Sequence, residues 1–449
     1  MLWHKVPNSI YFRRGSMATA MEDLKKFKRV CIVTDSFSYK QTPFVHELID
    51  LLNAKSSHQN YLDYHVFYEA EDATEGTIKK GVDVMRNFKP DLIIVMGGGR
   101  TMEAAKLMHV LYEDPTADLK DLSDDYGGMQ QWLSESCENN KNNNDSTSGT
   151  SIKKKKEFPK MGIKAKLVCI PTTSGSGTEV TPFATMVVGG GALGNFQHRR
   201  CPIAHFELTP FMAIIDANLV MNMPRDITAQ AGMNALAHTI EAYASVCSNE
   251  FTDGQALQAL KLLKTYLPRA YLHGKEDPIA REKVHNAATI AGIAHANAGM
   301  GICHSMGHAL ETLLNIPRGM AKALLLTNVV RYNTTHYTTS QEEAEAEQIM
   351  ECQYAEMARH LRLTKPDDDS KDASTAFVEW LNKIKEDLSI PTSIQEWGIK
   401  ENQFKNQLES LVEMAWEDPC VSTNSRPPSK NDLRTILLDS YYGRPYLEL

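Results

Sequence analysis

The sequence predicts an α/β N-terminal lobe followed by an all-helical C-terminal lobe. Three observations lead to this fold class. Short apolar runs alternate with longer amphipathic stretches, these runs stop after Asn218, and the rest of the chain has helical spacing. Alternating strands and helices are typical of a doubly wound parallel sheet. We therefore predict one domain over residues 1–218 and a second over residues 219–449.

Five short apolar runs predict the strands of the sheet. Each has a β-branched or aliphatic centre and is followed by turn residues, which suits strands that are buried on both faces. Helical spacing between the runs predicts the connecting helices of βαβ units. The predicted strands are Arg29–Asp35, Tyr64–Glu69, Asp91–Gly99, Lys166–Thr173 and Met212–Asn218.

Residues 134–157 interrupt this alternation. The segment SESCENNKNNNDSTSGTSIKKKKE is rich in Asn and Lys and has almost no apolar residues. Such a composition cannot bury enough surface to offset the entropy of ordering the chain. We predict a disordered surface insertion, although its four consecutive lysines would also suit an acidic partner.

The C-terminal lobe is predicted to consist of interior helices. Pro224 and Asp226 begin a helical stretch that continues to Tyr243, and the charged chain after Gln341 is also helical. Several helices are rich in alanine and apolar nearly all round, as buried helices are. Further helices are predicted over Gly254–Leu267, Pro278–Ala298 and Gly301–Leu314.

Composition excludes several classes of protein. Hydrophobic residues make up 42% of the 449 residues and the net charge is −8, so the chain as a whole does not attract nucleic acid or anionic membrane. No apolar run reaches the roughly 20 residues that span a bilayer. The N-terminal segment lacks the apolar core of a secretory signal, and the eight cysteines are scattered without paired spacing. These features predict a cytoplasmic protein with reduced thiols.

A glycine-rich loop follows the third predicted strand. In GGGRTMEAAK, Gly97, Gly98 and Gly99 end the strand and begin a predicted helix. Backbone N–H groups at a helix start point towards an anion, and glycine allows a phosphate to approach closely. The alternative is a tight turn that needs positive φ, but the strand–glycine–helix order favours phosphate binding.

A second polar loop follows the fourth predicted strand. PTTSGSGTEVTPF contains Thr172, Thr173, Ser174 and Thr178, whose hydroxyls suit a cofactor at the carboxyl edge of the sheet. The alternative is a loop whose hydroxyls cap a helix. Asp35, at the end of the first strand, is placed to accept from the ribose hydroxyls of NAD or simply to form a turn. Arg200 completes the set of predicted cofactor-binding residues, which are Asp35, Gly97, Gly98, Gly99, Thr172, Thr173, Ser174 and Arg200.

The helical lobe contains two polar pairs at helical spacing. Asn234 and His238 are four residues apart, as are His304 and His308, and Arg318 follows. A lone histidine on an apolar helix is usually a satisfied core residue, but two such pairs on interior helices favour one shared polar pocket. Two imidazoles alone are a thin coordination shell, so spacing indicates a site rather than a metal site.

These motifs together resemble the iron-containing (group III) alcohol dehydrogenases, in particular the alcohol dehydrogenase half of the bifunctional aldehyde–alcohol dehydrogenases. The stretches MLWHKVPNSIYFRRGS, EFTDGQALQALKLLKTYLP and ILLDSYYGRPY carry the resemblance over nearly the whole chain. It implies a dehydroquinate synthase-like fold and reversible hydride transfer between NADH and a short aldehyde, with acetaldehyde and ethanol as the expected pair. It also implies a homo-oligomer and an aldehyde dehydrogenase domain as an expected partner.

The resemblance also implies roles for the polar residues. It places the pyrophosphate on Gly97–Gly99, the nicotinamide end near Thr172, Thr173 and Ser174, and the NAD-selecting acid at Asp35. The family holds a ferrous ion with one Asp and three His. His238 and His304 match two of these ligands, and His308 matches a histidine near the nicotinamide.

Two of the four ligand positions depart from the family. Asn234 stands where an Asp is expected and Arg318 where the third His is expected. Arginine has no lone pair to give and stays protonated. A guanidinium about 4 Å from a divalent ion would be repelled by roughly 8 kcal/mol at an effective dielectric of about 20. Even a structural zinc site releases only about 10–16 kcal/mol, so we predict that iron is weakly held or absent unless Arg318 turns away.

Three functions therefore stay open. The first is an NAD-dependent alcohol dehydrogenase with a degenerate metal site, and the second is an inactive structural or regulatory domain of a filament-forming aldehyde–alcohol dehydrogenase. The third is a metal-free reductase in which Arg318 polarises the carbonyl and His304 or His308 supplies the proton. The predicted catalytic residues are His308 and Arg318. The phosphate loop also departs from the family at Arg100, Thr101 and Glu103, and Arg100 would either bind pyrophosphate or fill the cleft.

Overall fold

A computed structural model of the chain describes residues 4–54, 62–126, 157–189, 199–335 and 341–446. The predicted insertion, apart from Glu157, lies outside the described residues. Contacts divide the chain into two compact units. The N-terminal unit runs to Thr172 and includes Thr178–Asp216, and the C-terminal unit consists of Thr173–Gly177 and the chain from Ala217.

The N-terminal unit contains a six-stranded parallel sheet in the order β1-β8-β5-β4-β2-β3, and a two-stranded antiparallel pair, β6-β7. The predicted α/β lobe is therefore confirmed, and its five predicted strands are β2–β5 and β8. In chain order the strands are β1 (Ser9–Phe12), β2 (Arg29–Thr34), β3 (Asp63–Phe67), β4 (Leu92–Gly97), β5 (Lys166–Pro171), β6 (Phe183–Val188), β7 (Arg199–Ala204) and β8 (Met212–Ile215).

Three strands were not predicted from the sequence. β1 pairs in parallel with β8, with Ser9 opposite Met212, at an edge of the sheet. Its residues are partly exposed, so it lacks the continuous apolar run of a strand that is buried on both faces. β6 and β7 form a hairpin away from the main sheet and alternate buried with half-buried residues.

The helices of the N-terminal unit pack on the sheet. The strand β4 is buried along its whole length, and Ile78 and Met108 of the covering helices belong to the same core. Where these two helices cross, a Cβ at Gly81 would lie 2.4 Å from the Met108 sulfur, so the Met108 side chain would have to move to admit a larger residue. The helices are α1 (Ser16–Leu24), α2 (Ser36–Gln41), α3 (Phe44–Ala54), α4 (Glu75–Phe88), α5 (Gly99–Glu113) and α6 (Leu119–Tyr126).

The described part of the C-terminal unit contains helices and no strand, which confirms the predicted helical lobe. Short 3₁₀ helices cover Ala217–Val220 and Pro419–Thr423. None of the described helices is long and apolar enough to cross a membrane. The α-helices are α7 (Arg225–Ala244), α8 (Glu250–His273), α9 (Pro278–Ala298), α10 (Ile302–Leu314), α11 (Arg318–Thr334), α12 (Gln341–His360), α13 (Ser370–Asp387), α14 (Glu401–Glu417) and α15 (Lys430–Tyr442).

Helix α8 differs from its predicted bounds at both ends. It begins at Glu250 rather than Gly254 because Asn249 and Thr252 form a capping box one turn earlier. It also continues through Pro268 to His273. Leu267 and Ala270, on either side of the proline, are both buried in the core of the unit. Tertiary packing therefore maintains the helix there.

Candidate active site

The glycine-rich loop joins β4 to α5. Gly97 ends the strand, Gly98 is the N-cap residue and Gly99 is the first residue of the helix. None of the three has positive φ, so the tight-turn alternative is wrong. Space is the reason for glycine at the first position, because a Cβ on Gly97 would lie 2.7 Å from the side chain of Thr101. The loop thus presents backbone N–H groups at the start of a helix, where anions bind.

Charged side chains beside this loop have partners within the N-terminal unit. Arg100 Nη1 lies 3.6 Å from the Asp72 carboxylate, in the segment before α4. Glu103 and Lys106 are buried in α5, and Lys106 Nζ donates to the backbone oxygen of Phe183 over 3.1 Å. Burial lowers the pKa of Lys106 to about 8. This lysine therefore ties α5 to the start of β6.

Asp35 is the N-cap residue of α2. Its Oδ1 accepts the Ser38 N–H over 2.7 Å, and its Oδ2 accepts the Ser38 hydroxyl over 2.7 Å. Asp35 thus forms the turn that the alternative predicted, through its hydrogen bonds with Ser38. Its binding of a ribose stays a prediction. Arg200 lies in β7 opposite Val187 and is half-buried.

The Ser/Thr loop divides between the two units. The Thr172 N–H donates to the Gly97 oxygen over 3.0 Å in the N-terminal unit. Thr173 and Ser174 belong to the C-terminal unit, where the buried Ser174 Oγ lies 2.9 Å from His285 Nδ1. Burial lowers the pKa of His285 to about 3, so this imidazole is neutral.

The structure brings together four histidines from three helices of the C-terminal unit. His238 of α7 stacks on His295 of α9, with ring centroids 4.1 Å apart, and on His304 of α10 at 4.8 Å. His308 meets His304 edge-on at 6.0 Å. We call His238, His295, His304 and His308 the imidazole cluster. Asn234 lies one turn before His238 on α7, and its amide donates to the Gly175 oxygen over 2.8 Å.

Asn234 Oδ1, His238 Nδ1 and His304 Nε2 are buried in this region without a hydrogen-bond partner. Burial holds the pKa values of His238 and His304 well below the usual range, so both rings are neutral at pH 7. The other nitrogen of His304, Nδ1, contacts the Glu241 carboxyl closely. Burial raises the pKa of Glu241 to about 8. These atoms can form hydrogen bonds with a bound group: the amide oxygen as an acceptor, and each imidazole nitrogen as an acceptor or a donor according to its tautomer.

Arg318 begins α11 and is held by Glu311 of α10. Its Nε donates to the two carboxylate oxygens over 3.1 and 2.9 Å. Its charge is one of the smaller causes that lower the pKa of His238, after burial, His295, Lys322 and His308. Burial lowers the pKa of His304 most, and the charge of Lys322, a buried residue one turn after Arg318, lowers it next. The imidazole cluster therefore lies close to two cationic side chains.

His308 forms a separate pair with Asp418, as Nδ1 lies 2.8 Å from Oδ2. Cys420 is next to this pair, and among the described residues these three form the only group of His, Cys, Asp or Glu whose ligand atoms lie within 4.8 Å of one another. Burial raises the pKa of the Cys420 thiol well above its usual range, which disfavours the thiolate that a metal requires.

Sequence reasoning missed the partners of the cluster. His295 lies in an alanine-rich helix without a second polar residue at i+4, so the spacing rule passed over it. Glu241 is one turn beyond His238, and this spacing was a usable signal. Glu311 and Asp418 meet Arg318 and His308 only through tertiary packing.

Comparison with known proteins identifies the family. Residues 7–217 match the profile "Iron-containing alcohol dehydrogenase", and residues 228–441 match "Fe-containing alcohol dehydrogenase family, C-terminal". The NADPH-dependent butanol dehydrogenase of Clostridium saccharobutylicum is 32% identical over 99% of this chain and 99% of that protein. This chain belongs to the iron-containing alcohol dehydrogenase family.

Two further relatives show its place among these proteins. The bifunctional aldehyde-alcohol dehydrogenase AdhE of Escherichia coli K12 is 44% identical over all of this chain and 47% of that protein. The chain thus spans about half the length of the aldehyde-alcohol dehydrogenases that it matches. The iron-containing alcohol dehydrogenase of Thermococcus thioreducens has a TM-score of 0.78 at 26% identity, covering 99% of this chain and 100% of that one.

Proposed function

We propose that the chain catalyses reversible hydride transfer between NADH and a short aldehyde, with acetaldehyde and ethanol as the expected pair, and that it does so without a tightly held iron. Membership of the alcohol dehydrogenase family supports the reaction class, and the names of the relatives support a short substrate. Residues 1–218 would bind the dinucleotide and residues 219–449 would supply the groups that act on the substrate oxygen.

One observation carries this proposal: neutral buried imidazoles with unpartnered atoms lie beside a cationic side chain. Reduction of an aldehyde needs a proton for the carbonyl oxygen and positive charge to stabilise the developing alkoxide. His308, at the more exposed end of the imidazole cluster, is our proton donor. Arg318 keeps its charge while Glu311 orients it, and is our electrophile.

The residues present do not fit a tightly bound ferrous ion. Asn234 offers one neutral oxygen, and His238 and His304 offer one nitrogen each. The fourth family position, Arg318, donates to Glu311 and has no lone pair. Three neutral donors beside the charges of Arg318 and Lys322 make a poor site for a dication. We therefore include no metal in the proposed reaction.

Dinucleotide binding is proposed for the N-terminal unit. The pyrophosphate would bind at Gly97–Gly99 because backbone N–H groups point out of the start of α5 there. Asp35 would accept from the ribose, and Arg200 would add a cation. The nicotinamide end is assigned to the hydroxyl loop, Thr172, Thr173 and Ser174.

The test is acetaldehyde reduction by protein that has been stripped with a chelator. We expect saturable NADH binding, followed by fluorescence enhancement, and NADH oxidation that the chelator does not change. Activity that appears only after ferrous salt is added would contradict the metal-free part. Absence of NADH binding would contradict the whole proposal.

A second candidate is an inactive structural or regulatory domain. The resemblance implies an Asp at Asn234 and a His at Arg318, and two such replacements would favour this candidate because assembly contacts do not need a metal. An aldehyde dehydrogenase domain is then the proposed partner, and the chain would form homo-oligomers. Failure of the NADH and aldehyde assays together with self-association in light scattering would support this candidate.

A further inference from the structure

The contact between His308 and Asp418 assigns a function to a residue outside the predicted site. We propose that Asp418 is a positioning residue, which holds His308 in the tautomer that carries its proton on Nδ1 and leaves Nε2 to exchange a proton with the substrate oxygen. This inference rests on the proposed function, because it concerns the proton that the alcohol oxygen gains or loses.

The Asp418 carboxylate is fixed by its own turn. It is the N-cap residue of the 3₁₀ helix Pro419–Thr423, where Oδ1 accepts the Cys420 N–H over 2.9 Å. The other oxygen, Oδ2, faces His308 Nδ1 at 2.8 Å. The Cys420 side chain also forms a hydrogen bond with this carboxylate. The turn and its residue Cys420 therefore determine the direction from which His308 is held.

The charge of Asp418 determines which nitrogen of His308 donates. Burial raises the pKa of Asp418, but the neighbouring His308 and the hydrogen bonds from His308 and Cys420 outweigh it and lower that pKa to about 2. An ionised carboxylate has no proton to donate, so the proton in this contact belongs to Nδ1. Nε2 of the neutral ring then carries the lone pair.

The proton balance follows from this tautomer. In the reductive direction the C–H bond of NADH breaks, a C–H bond forms at the carbonyl carbon, and the carbonyl oxygen takes a proton from Nε2 of the His308 imidazolium. The ring returns to its neutral form with Nδ1 still bonded to Asp418. Because the His308 side chain is 22% exposed, solvent can restore the proton on Nε2. Oxidation of the alcohol is the reverse.

The test measures the tautomer of His308 and the rate of aldehyde reduction independently. Protein labelled with ¹⁵N in histidine is examined by two-bond ¹H–¹⁵N spectra at neutral pH, and His308 is assigned by comparison with His308→Gln. Asp418→Asn keeps a side chain that caps a helix about as well, but its amide can donate to Nδ1 and so favours the other tautomer. Asp277→Asn is the matched control, because Asp277 also caps a helix and pairs with a cation, Arg269, on other helices.

We expect the Nδ1–H form of His308 in the unsubstituted chain and in Asp277→Asn, and the Nε2–H form in Asp418→Asn. The rate of acetaldehyde reduction should fall about 10²- to 10⁴-fold in Asp418→Asn, the contribution of one proton transfer, and Asp418→Glu should recover part of it. NADH affinity should change less than about threefold, because the substitution alters no group that we propose to bind the dinucleotide.

Three results would overturn the inference. The first is an Nε2–H form of His308 in the unsubstituted chain, and the second is an unchanged tautomer and rate in Asp418→Asn. The third is a metal content of one zinc ion per chain that is lost in both His308→Gln and Cys420→Ser. If the unsubstituted chain shows the Nδ1–H form but reduces no short aldehyde, the proposed function fails while the positioning by Asp418 stands.

Discussion

Placing at positions 234 and 318 the ligand types that the family resemblance implies should make this site bind iron. The perturbation is Asn234→Asp with Arg318→His, which adds one carboxylate and one imidazole and removes one cation. Glu311 must change with them, because it pairs with Arg318 and its side chain is only 9% exposed. Removing the cation that pairs with such a carboxylate would cost up to about 3–5 kcal/mol. The third substitution is therefore Glu311→Gln.

The magnitude follows from the charges at the site. A carboxylate about 4 Å from a divalent ion contributes roughly 8 kcal/mol of attraction at an effective dielectric of about 20. In the absence of metal the new carboxylate faces the Gly175 oxygen, which now accepts from the Asn234 amide, and losing that bond costs about 1–3 kcal/mol. Desolvation reduces the gain further. If about half of the attraction survives, ferrous ion binds about a thousandfold more tightly.

The assay is anaerobic calorimetric titration with ferrous salt, accompanied by thermal unfolding with and without metal. The triple variant should have a lower midpoint than the unsubstituted chain without metal and should recover when iron is added. Asn234→Asp alone and Arg318→His alone are the controls, and each should bind more weakly. The reasoning is refuted if the folded triple variant binds iron no better than the unsubstituted chain.

Three further predictions concern the cofactor loop, the electrophile and a carboxyl group far from the site. Gly97→Ala should weaken NADH binding about tenfold and lower the free energy of unfolding by about 1–3 kcal/mol, because its Cβ would lie 2.7 Å from Thr101, whereas Gly76→Ala, with no atom within 4 Å, should change neither quantity unfavourably. Arg318→Ala should abolish acetaldehyde reduction while NADH still binds, and retained turnover in steady-state assays would exclude it as the electrophile. Burial and neighbouring carboxylates raise the pKa of Asp253 to about 6, so its contribution to stability is present below pH 4 and is lost as the pH rises through 6. Asp253→Asn should therefore raise the free energy of unfolding at pH 7.5 but not at pH 4. We expect only about 1 kcal/mol because partial exposure screens the effect. A difference in urea midpoint between the variant and the unsubstituted chain that is the same at both pH values would count against this prediction.

Residue spacing predicts which polar side chains share a helix face, but it does not predict their hydrogen-bond partners. His304 and His308 are one turn apart on α10, so their common face follows from helix geometry alone. Their partners Glu241 and Asp418 belong to other elements, 63 and 110 residues away in the chain. No periodicity relates such distant positions, because the packing of helices decides which side chains meet.

By itself, the sequence determined the architecture and the set of chemical groups. Continuous apolar runs predict the strands because a buried parallel strand has no polar face, and alanine-rich helices predict the C-terminal lobe because interior helices need small apolar surfaces. Only the tertiary structure decided that His295 stacks on His238 and that Glu311 holds Arg318. The physical reason is that hydrophobic patterning is local and repeats along the chain, whereas hydrogen bonds and ion pairs in a buried site depend on where separate helices cross.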